Sequence, residues 1–324
     1  MKKLIKKLCV LLGPFLLIMV FFFCADPMRI IYTYSSPTTK GVLMNDRLFQ
    51  ARYLEDNAAK YHSFILGSSR SKAFKTESWN RVSGTDSSFH LGVNDETLFG
   101  IEKKLEYLDK KGVKIKDVLI LLDHRILSLS KNQQAHIFRE HPSVSGESTL
   151  EFYKKFFVGF FKPEFLRAYI DWQYSGVYKL YMKNYIFKED FQYNAGSGDI
   201  DYTGYEKEIE QDSTGYYEVN KTVFYQRVEK AAAPSLSEEG KALLLKTKEI
   251  LQKQQARYKI ILTPNYDEEK INAEDLDFLK DTFGAAAVYD FSGKSDITAE
   301  IGNYYEEKHF KPYIAEELMK RVYE

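Results

Sequence analysis

Phe64-Ile65-Leu66-Gly67-Ser68-Ser69-Arg70 reads as an apolar strand running into a tight polar turn, with serines placed at the strand's C-terminal end. Working outward, Ser63 to Leu66 is the first core strand, a helical stretch follows from about Ser71, and Ser88-Phe89-His90-Leu91 is a second short strand. Asp95 is the expected cap of a helix whose Leu98, Ile101, Leu105 and Leu108 recur at helical spacing. Val118-Leu119-Ile120-Leu121-Leu122 is a continuous apolar run, the signature of a strand buried on both faces of a parallel sheet. Further on, a helix over about 237–256, a strand Lys259 to Leu262, a helix over about 272–282, a strand Ala287 to Tyr289 and a last helix from about Lys311 continue the alternation. Strands alternating with helices predict an α/β fold, a three-layer, doubly wound and mostly parallel sheet. In such sheets ligands sit at the C-terminal ends of the strands, and Ser69 is placed there.

The second informative stretch is Tyr305-Glu306-Glu307-Lys308-His309-Phe310, just ahead of the last helix. Serine is a poor nucleophile until a base takes its proton, and the base works only when a carboxylate fixes its tautomer. Ser69 as nucleophile, His309 as base and Glu306 as acid supply these types, with Glu307 and Asp290 as substitutes for the acid. A strand ending in Gly-x-Ser and an acid-x-x-His before a final helix resemble the first and last blocks of the SGNH/GDSL hydrolase superfamily. More narrowly, Gly-x-Ser-Arg resembles the membrane-anchored SGNH-like proteins of bacterial cell-envelope polysaccharide clusters. The likeness covers roughly residues 60–130 and 240–324, and the acid here is one methylene longer than the usual aspartate.

What the resemblance implies is an SGNH/flavodoxin-like domain and a serine acyl-enzyme, an esterase or O-acyltransferase, acetyl being the expected group and an envelope or exported glycan the substrate. It also implies an oxyanion hole made of the nucleophile's N–H (Ser69), a glycine N–H from a second block and an asparagine side chain from a third. The second block is His90-Leu91-Gly92-Val93-Asn94-Asp95-Glu96-Thr97, where Asp95 stands at the glycine's position and Gly92 comes three residues earlier. The third block reads Asp123-His124-Arg125 and holds no asparagine, so the remaining donor falls to Asn94 or Arg125. Arg70 either fixes the turn through a salt bridge or holds an anionic or hydroxyl-rich substrate; Arg125 is the other candidate for substrate binding. A non-catalytic glycan-binding or assembly factor, and an esterase or lipase acting on small or lipid esters, are the competing readings.

The chain has 324 residues, 44% hydrophobic and 28% charged, enough for a large domain with an insertion. A basic tail over residues 1–7 precedes an uncharged apolar run over 8–25, which predicts a single transmembrane anchor with its N-terminus in the cytoplasm and the rest outside. A cleaved signal peptide is the alternative, and Cys24 lacks the small preceding residues of a lipoprotein site. Both cysteines, Cys9 and Cys24, fall in that run, so the exported part has no thiol nucleophile. Without Lys2, Lys3, Lys6 and Lys7 the basic residues fall four short of the 46 acidic ones, and no basic stripe points to nucleic acid. Residues 26–60 read as a stem with a loop cluster at 35–41; 61–130 and 236–324 form the SGNH-like domain. Residues 131–235 are an aromatic-rich insertion, read foremost as helical hairpins packed on the sheet, then as a sugar-stacking lid or a membrane-surface face. Its segment 195–214 is expected to be a mobile loop. His62, His90, His124, His136 and His141 read as surface or loop histidines. No cofactor and no metal are expected. The expected partner, implied by the resemblance and by the topology, is a multi-span membrane acyltransferase that hands the acyl group across.

Overall fold

The computed structural model describes residues 2–35, 41–187 and 191–324, so most of the loop cluster at 35–41 lies outside the described residues. Five strands form the central sheet: β1 Ser63–Leu66, β2 Ser88–His90, β3 Asp117–Leu122, β4 Arg257–Leu262 and β5 Val288–Asp290. Their order is β5-β4-β3-β1-β2 and every pairing is parallel. The chain is thus an α/β protein whose strand order reverses between β1 and β3, the place where open parallel sheets bind their ligands.

The longer helices are α1 Lys2–Ala25, α2 Asp46–Asn57, α3 Thr76–Ser83, α4 Leu98–Lys110, α5 Thr149–Phe160, α6 Pro163–Ser175, α7 Glu238–Gln254, α8 Ala273–Phe283 and α9 Pro312–Tyr323. Successive strand residues point to opposite faces. On one face Phe64, Leu66, Val118, Ile120, Leu122, Ile260 and Leu262 meet α4, α7 and α8 through Ile101, Leu105, Leu251 and Leu279. On the other, Ile65, Leu119, Leu121 and Ile261 meet α3 and α9 through Trp79, Ile314, Leu318 and Met319. Because both faces are covered, the strands are apolar throughout rather than alternating, and each such side chain contributes about 1.5–3 kcal/mol on burial. The arrangement is compatible with a three-layer α/β fold.

Several boundaries differ from the sequence expectation for local reasons. Asp95 does not cap α4; its φ is 53° and its carboxylate is held by Arg125, while Thr97 Oγ1 accepts from Gly100 N at 2.9 Å and starts the helix. The segment after Ser69 is a short 3-10 turn, Ser69–Ala73, ahead of α3. The stretch expected as a stem carries α2, capped by Asn45, and its Ala51 and Leu54 enter the main core. The expected loop at 195–214 contains a two-residue strand, Ile200–Asp201, and a helix, Thr203–Gln211.

The aromatic insertion forms the helical pair α5 and α6, but it packs elsewhere than on the sheet. Phe152, Phe156, Phe160 and Phe165 build a third core with Phe22, Met28, Ile30, Val42 and Leu48. The Phe22 ring lies edge-on to Phe160 at 5.1 Å and to Phe157 at 5.5 Å, so the insertion grips the C-terminal end of α1. Just beyond, the buried Asp26 carboxylate accepts from Ile30 N at 2.7 Å, Ile31 N at 2.9 Å and Tyr32 N at 3.0 Å, which fixes how the chain leaves the helix. α1 exposes Val10, Leu16, Leu17 and Val20. Among the described residues no helix is long and apolar enough to cross a membrane.

Candidate active site

The turn after β1 is shaped by close approach. A Cβ on Gly67 would lie 2.9 Å from Leu121 Cβ and 3.0 Å from Leu121 O, so only glycine lets the chain pass β3 here. The two serines that follow face different partners. Ser68 Oγ donates to Asp123 Oδ2 at 3.1 Å, and Arg70 Nη1 pairs with the same oxygen at 2.5 Å. Asp123 Oδ1 meanwhile caps the helical turn after β3 through Ile126 N at 3.0 Å. One buried carboxylate therefore ties the ends of β1 and β3 together, and Arg70 acts in the turn-fixing way.

Ser69 Oγ instead lies 2.7 Å from His309 Nε2. His309 belongs to a small antiparallel hairpin, β6 Tyr304–Glu306 and β7 His309–Phe310, whose irregular register sets Glu306 opposite His309. Glu306 Oε1 hydrogen-bonds His309 Nδ1 and also accepts from Lys308 N at 3.2 Å. Burial alone would raise the Glu306 carboxyl, but its hydrogen bond to His309 and the attraction it would have for the imidazolium outweigh it and hold the group below its ordinary value. With Nδ1–H directed to Glu306, Nε2 is left as acceptor for the serine proton. The longer glutamate reaches because acid and base stand directly across the hairpin. Asp290 is occupied by Lys270 at 2.7 Å and Glu307 pairs with Lys308 at 3.5 Å, so neither takes the acid's place.

The second block, residues 90–97, runs beside this turn. Leu91 N donates to Ile65 O at 2.8 Å and Val93 N to Gly67 O at 3.1 Å. Its carbonyls are pulled to the far side: Gln50 Nε2 donates to Gly92 O at 3.1 Å, Lys104 Nζ to Leu91 O at 3.1 Å, and Arg47 to Asn94 O at 2.8 Å and Asp95 O at 2.9 Å. Arg47 and Lys104 are themselves held by Glu96 and Glu140 in a buried cluster. In a trans peptide the N–H points opposite to the preceding carbonyl, so this cluster turns the N–H groups of Gly92, Asp95 and Glu96 away from itself. Among the described residues Gly92 N takes no hydrogen-bond partner, which leaves it open as a donor. Arg125 is exposed and paired with Asp95, with Nη2 to Oδ2 at 2.9 Å. The structure thus places Arg125 at the surface beside the second block rather than in the lining of the cavity at His309.

His90 corrects the surface reading. It is buried on β2, with Nε2 2.9 Å from Ser71 Oγ and Nδ1 3.3 Å from Asp199 Oδ1. Asp199 also accepts from Thr76 Oγ1 at 2.6 Å and Ser197 Oγ at 2.9 Å. This is a second Ser–His–Asp string, yet Ser71 is fully buried and reaches no substrate. Burial holds His90 below its ordinary value, so it serves as a neutral brace between the nucleophile turn and the insertion. Gly92 packs against it, leaving no room for a side chain. His136 and His141 are half-buried, and burial pushes both down to about 4.

A cavity of about 160 Å³ opens on His309, walled by Val42, Ile200, Phe187, Phe191, Tyr202 and Tyr205 and carrying Asp46, Lys72 and Asn94 as polar groups. The Tyr202 ring centroid is 5.6 Å from that of His309. A larger cavity of about 490 Å³ lies between α5 and the segment around Val42 and includes no residue of the Ser69–His309–Glu306 chain. Among the described residues no cluster of His, Cys, Asp and Glu is set to hold a metal. Lys72, Arg47 and Asp199 escaped sequence reasoning, since charged residues in isolation carry no signal of burial. Neither protein-family models nor curated proteins match this chain.

Proposed function

We propose that the protein is a serine esterase or O-acyltransferase of SGNH type, forming an acyl-enzyme on Ser69. The observation that carries this reading is the continuous hydrogen-bond chain from Ser69 Oγ through His309 to Glu306. His309 takes the proton as Ser69 attacks an ester carbonyl, Glu306 stabilises the imidazolium, and His309 returns the proton to the leaving alcohol. Water or a sugar hydroxyl then attacks the acyl-enzyme, giving hydrolysis or transfer. The acyl group is proposed as acetyl and the acceptor as an envelope or exported glycan. The flat aromatic walls and polar groups of the cavity at His309 suit a sugar ring. The apolar run at 8–25 is proposed as a membrane anchor with the N-terminus in the cytoplasm, supported by the exposed apolar side chains of α1. With Ser69 outside, a multi-span acyltransferase is the proposed source of the acyl group.

A serine-directed fluorophosphonate should label the wild-type protein and not Ser69→Ala, while Ser68→Ala keeps the label. Labelling that follows Ser68 would overturn the assignment. A folded protein that takes no label would favour the glycan-binding reading, whose support is the missing asparagine after β3.

A further inference from the structure

Lys72 stands three residues beyond Ser69 on the same 3-10 turn, yet it is buried. Its Nζ lies 2.8 Å from Asn94 Oδ1 and 3.6 Å from Asp46 Oδ2. Burial lowers the lysine's affinity for its proton, and Asp46 works against that effect. The lysine is shielded from bulk solvent, on the wall of the cavity that opens on His309. Its visible consequence is at Asn94.

An ammonium group is a donor and never an acceptor, so the amide atom that faces Lys72 is the oxygen. The NH₂ of Asn94 is thereby set on the opposite edge of the amide. Asn94 and Lys72 line the same cavity as His309, and the block that carries Asn94 is tied to the nucleophile turn at Gly67 O. Arg125, the other candidate for the third oxyanion donor, is paired with Asp95. From this arrangement we infer that Lys72 is a positioning residue that holds Asn94 Oδ1 and so presents Asn94 Nδ2 as an oxyanion donor, replacing the asparagine missing after β3. The inference rests on the acyl-transfer reading above. Asn94 touches the reacting oxygen; Lys72 acts only through it.

The test is a mutant cycle on the full chain, read by hydrolysis of p-nitrophenyl acetate and by thermal unfolding. Asn94→Asp keeps an oxygen for Lys72 and removes the NH₂, so kcat should fall about 10²–10³-fold, the usual loss of one oxyanion donor, with KM and the unfolding midpoint little changed. Lys72→Met should lower kcat by no more than that. In an Asn94→Ala background it should lower kcat no further. Asn94→Asp at the wild-type rate overturns the proposal. So does a Lys72→Met loss that is as large in the Asn94→Ala background as in wild type, because the ammonium would then act directly. A readout independent of turnover is the Asn94 side-chain amide in NMR of asparagine-labelled protein. The Asn94 NH₂ chemical shifts and their protection from solvent exchange should move toward those of a free asparagine side chain in Lys72→Met; signals unaltered by Lys72→Met overturn the anchor. Failure of wild type to turn over ester or take a serine probe, with Lys72-dependent amide signals, would refute the acyl-transfer reading and leave the anchor standing.

Discussion

On the acyl-transfer reading proposed above, the Ser69 hydroxyl and the Glu306 carboxylate act through one imidazole, and the two contacts are unequal in what they require. Ser69 needs only a lone pair at His309 Nε2, but that lone pair exists only while Nδ1 carries the proton, which Glu306 secures. Glu306→Gln offers an amide that can donate to Nδ1 and favour the wrong tautomer. Turnover of a small ester should then fall by up to about 10⁴-fold, the scale seen when a triad carboxylate is neutralised, and Glu306→Asp should be milder. A wild-type rate in Glu306→Gln would break the pairing. These three residues were legible in the sequence because each stands at a strand end or a helix start. Lys72 and His90 were not: the first looks like a surface lysine, and the partner of the second, Asp199, lies in a stretch that reads as loop. Burial of a polar residue is decided by a partner distant in sequence, and no local pattern encodes it.

At the scale of elements, the strands were readable because a parallel strand buried on both sides must be apolar throughout, as β3 is from Val118 to Leu122. The packing of α5 was not, since aromatics at helical spacing say that a face is covered without saying by what. Two histidines lie against that helix: His136 has its ring centroid 5.1 Å from Phe156, and His141 lies 5.4 Å from Phe152. Burial, with Lys162 beside His136 and Arg52 beside His141, pushes both from the ordinary 6.5 down to about 4. Between those values the unfolded chain binds protons that the folded one refuses. Stability from these sites is therefore full above pH 6.5 and declines as pH falls toward about 4. The lowered Glu306 carboxyl works in the same direction, holding above its ordinary 4.5 and fading below it. Unfolding midpoints measured across this range should drop with acid, and the drop should be shallower in a His136→Gln, His141→Gln double variant. An equal slope in the two proteins would refute the account.

For the whole molecule, the strand order places β1, which leads to Ser69, between β2 and β3, while β6 and β7 stand outside the sheet as a hairpin of their own. The proposed acid and base thus ride on a hairpin outside the sheet and the proposed nucleophile on the turn after an interior strand. Proteins open in pieces, and the pieces with fewest buried partners open first. The β6–β7 hairpin buries Tyr304 and Phe310 against the sheet but pairs with none of its strands, so its backbone should open while the five-stranded ladder is still intact, taking His309 and Glu306 away together and stranding Ser69 in place. In native-state hydrogen exchange at low denaturant, the amides of Tyr304 to Phe310 should become exposed at a lower free energy than those of β1, and loss of activity should track the former. Exchange of both segments with one common free energy would show instead that the hairpin is welded to the core. On the proposed acyl-transfer reading the arrangement makes failure clean: a partly opened molecule keeps Ser69 in place but has lost the base that would activate it, so it falls silent before it can attack the wrong ester.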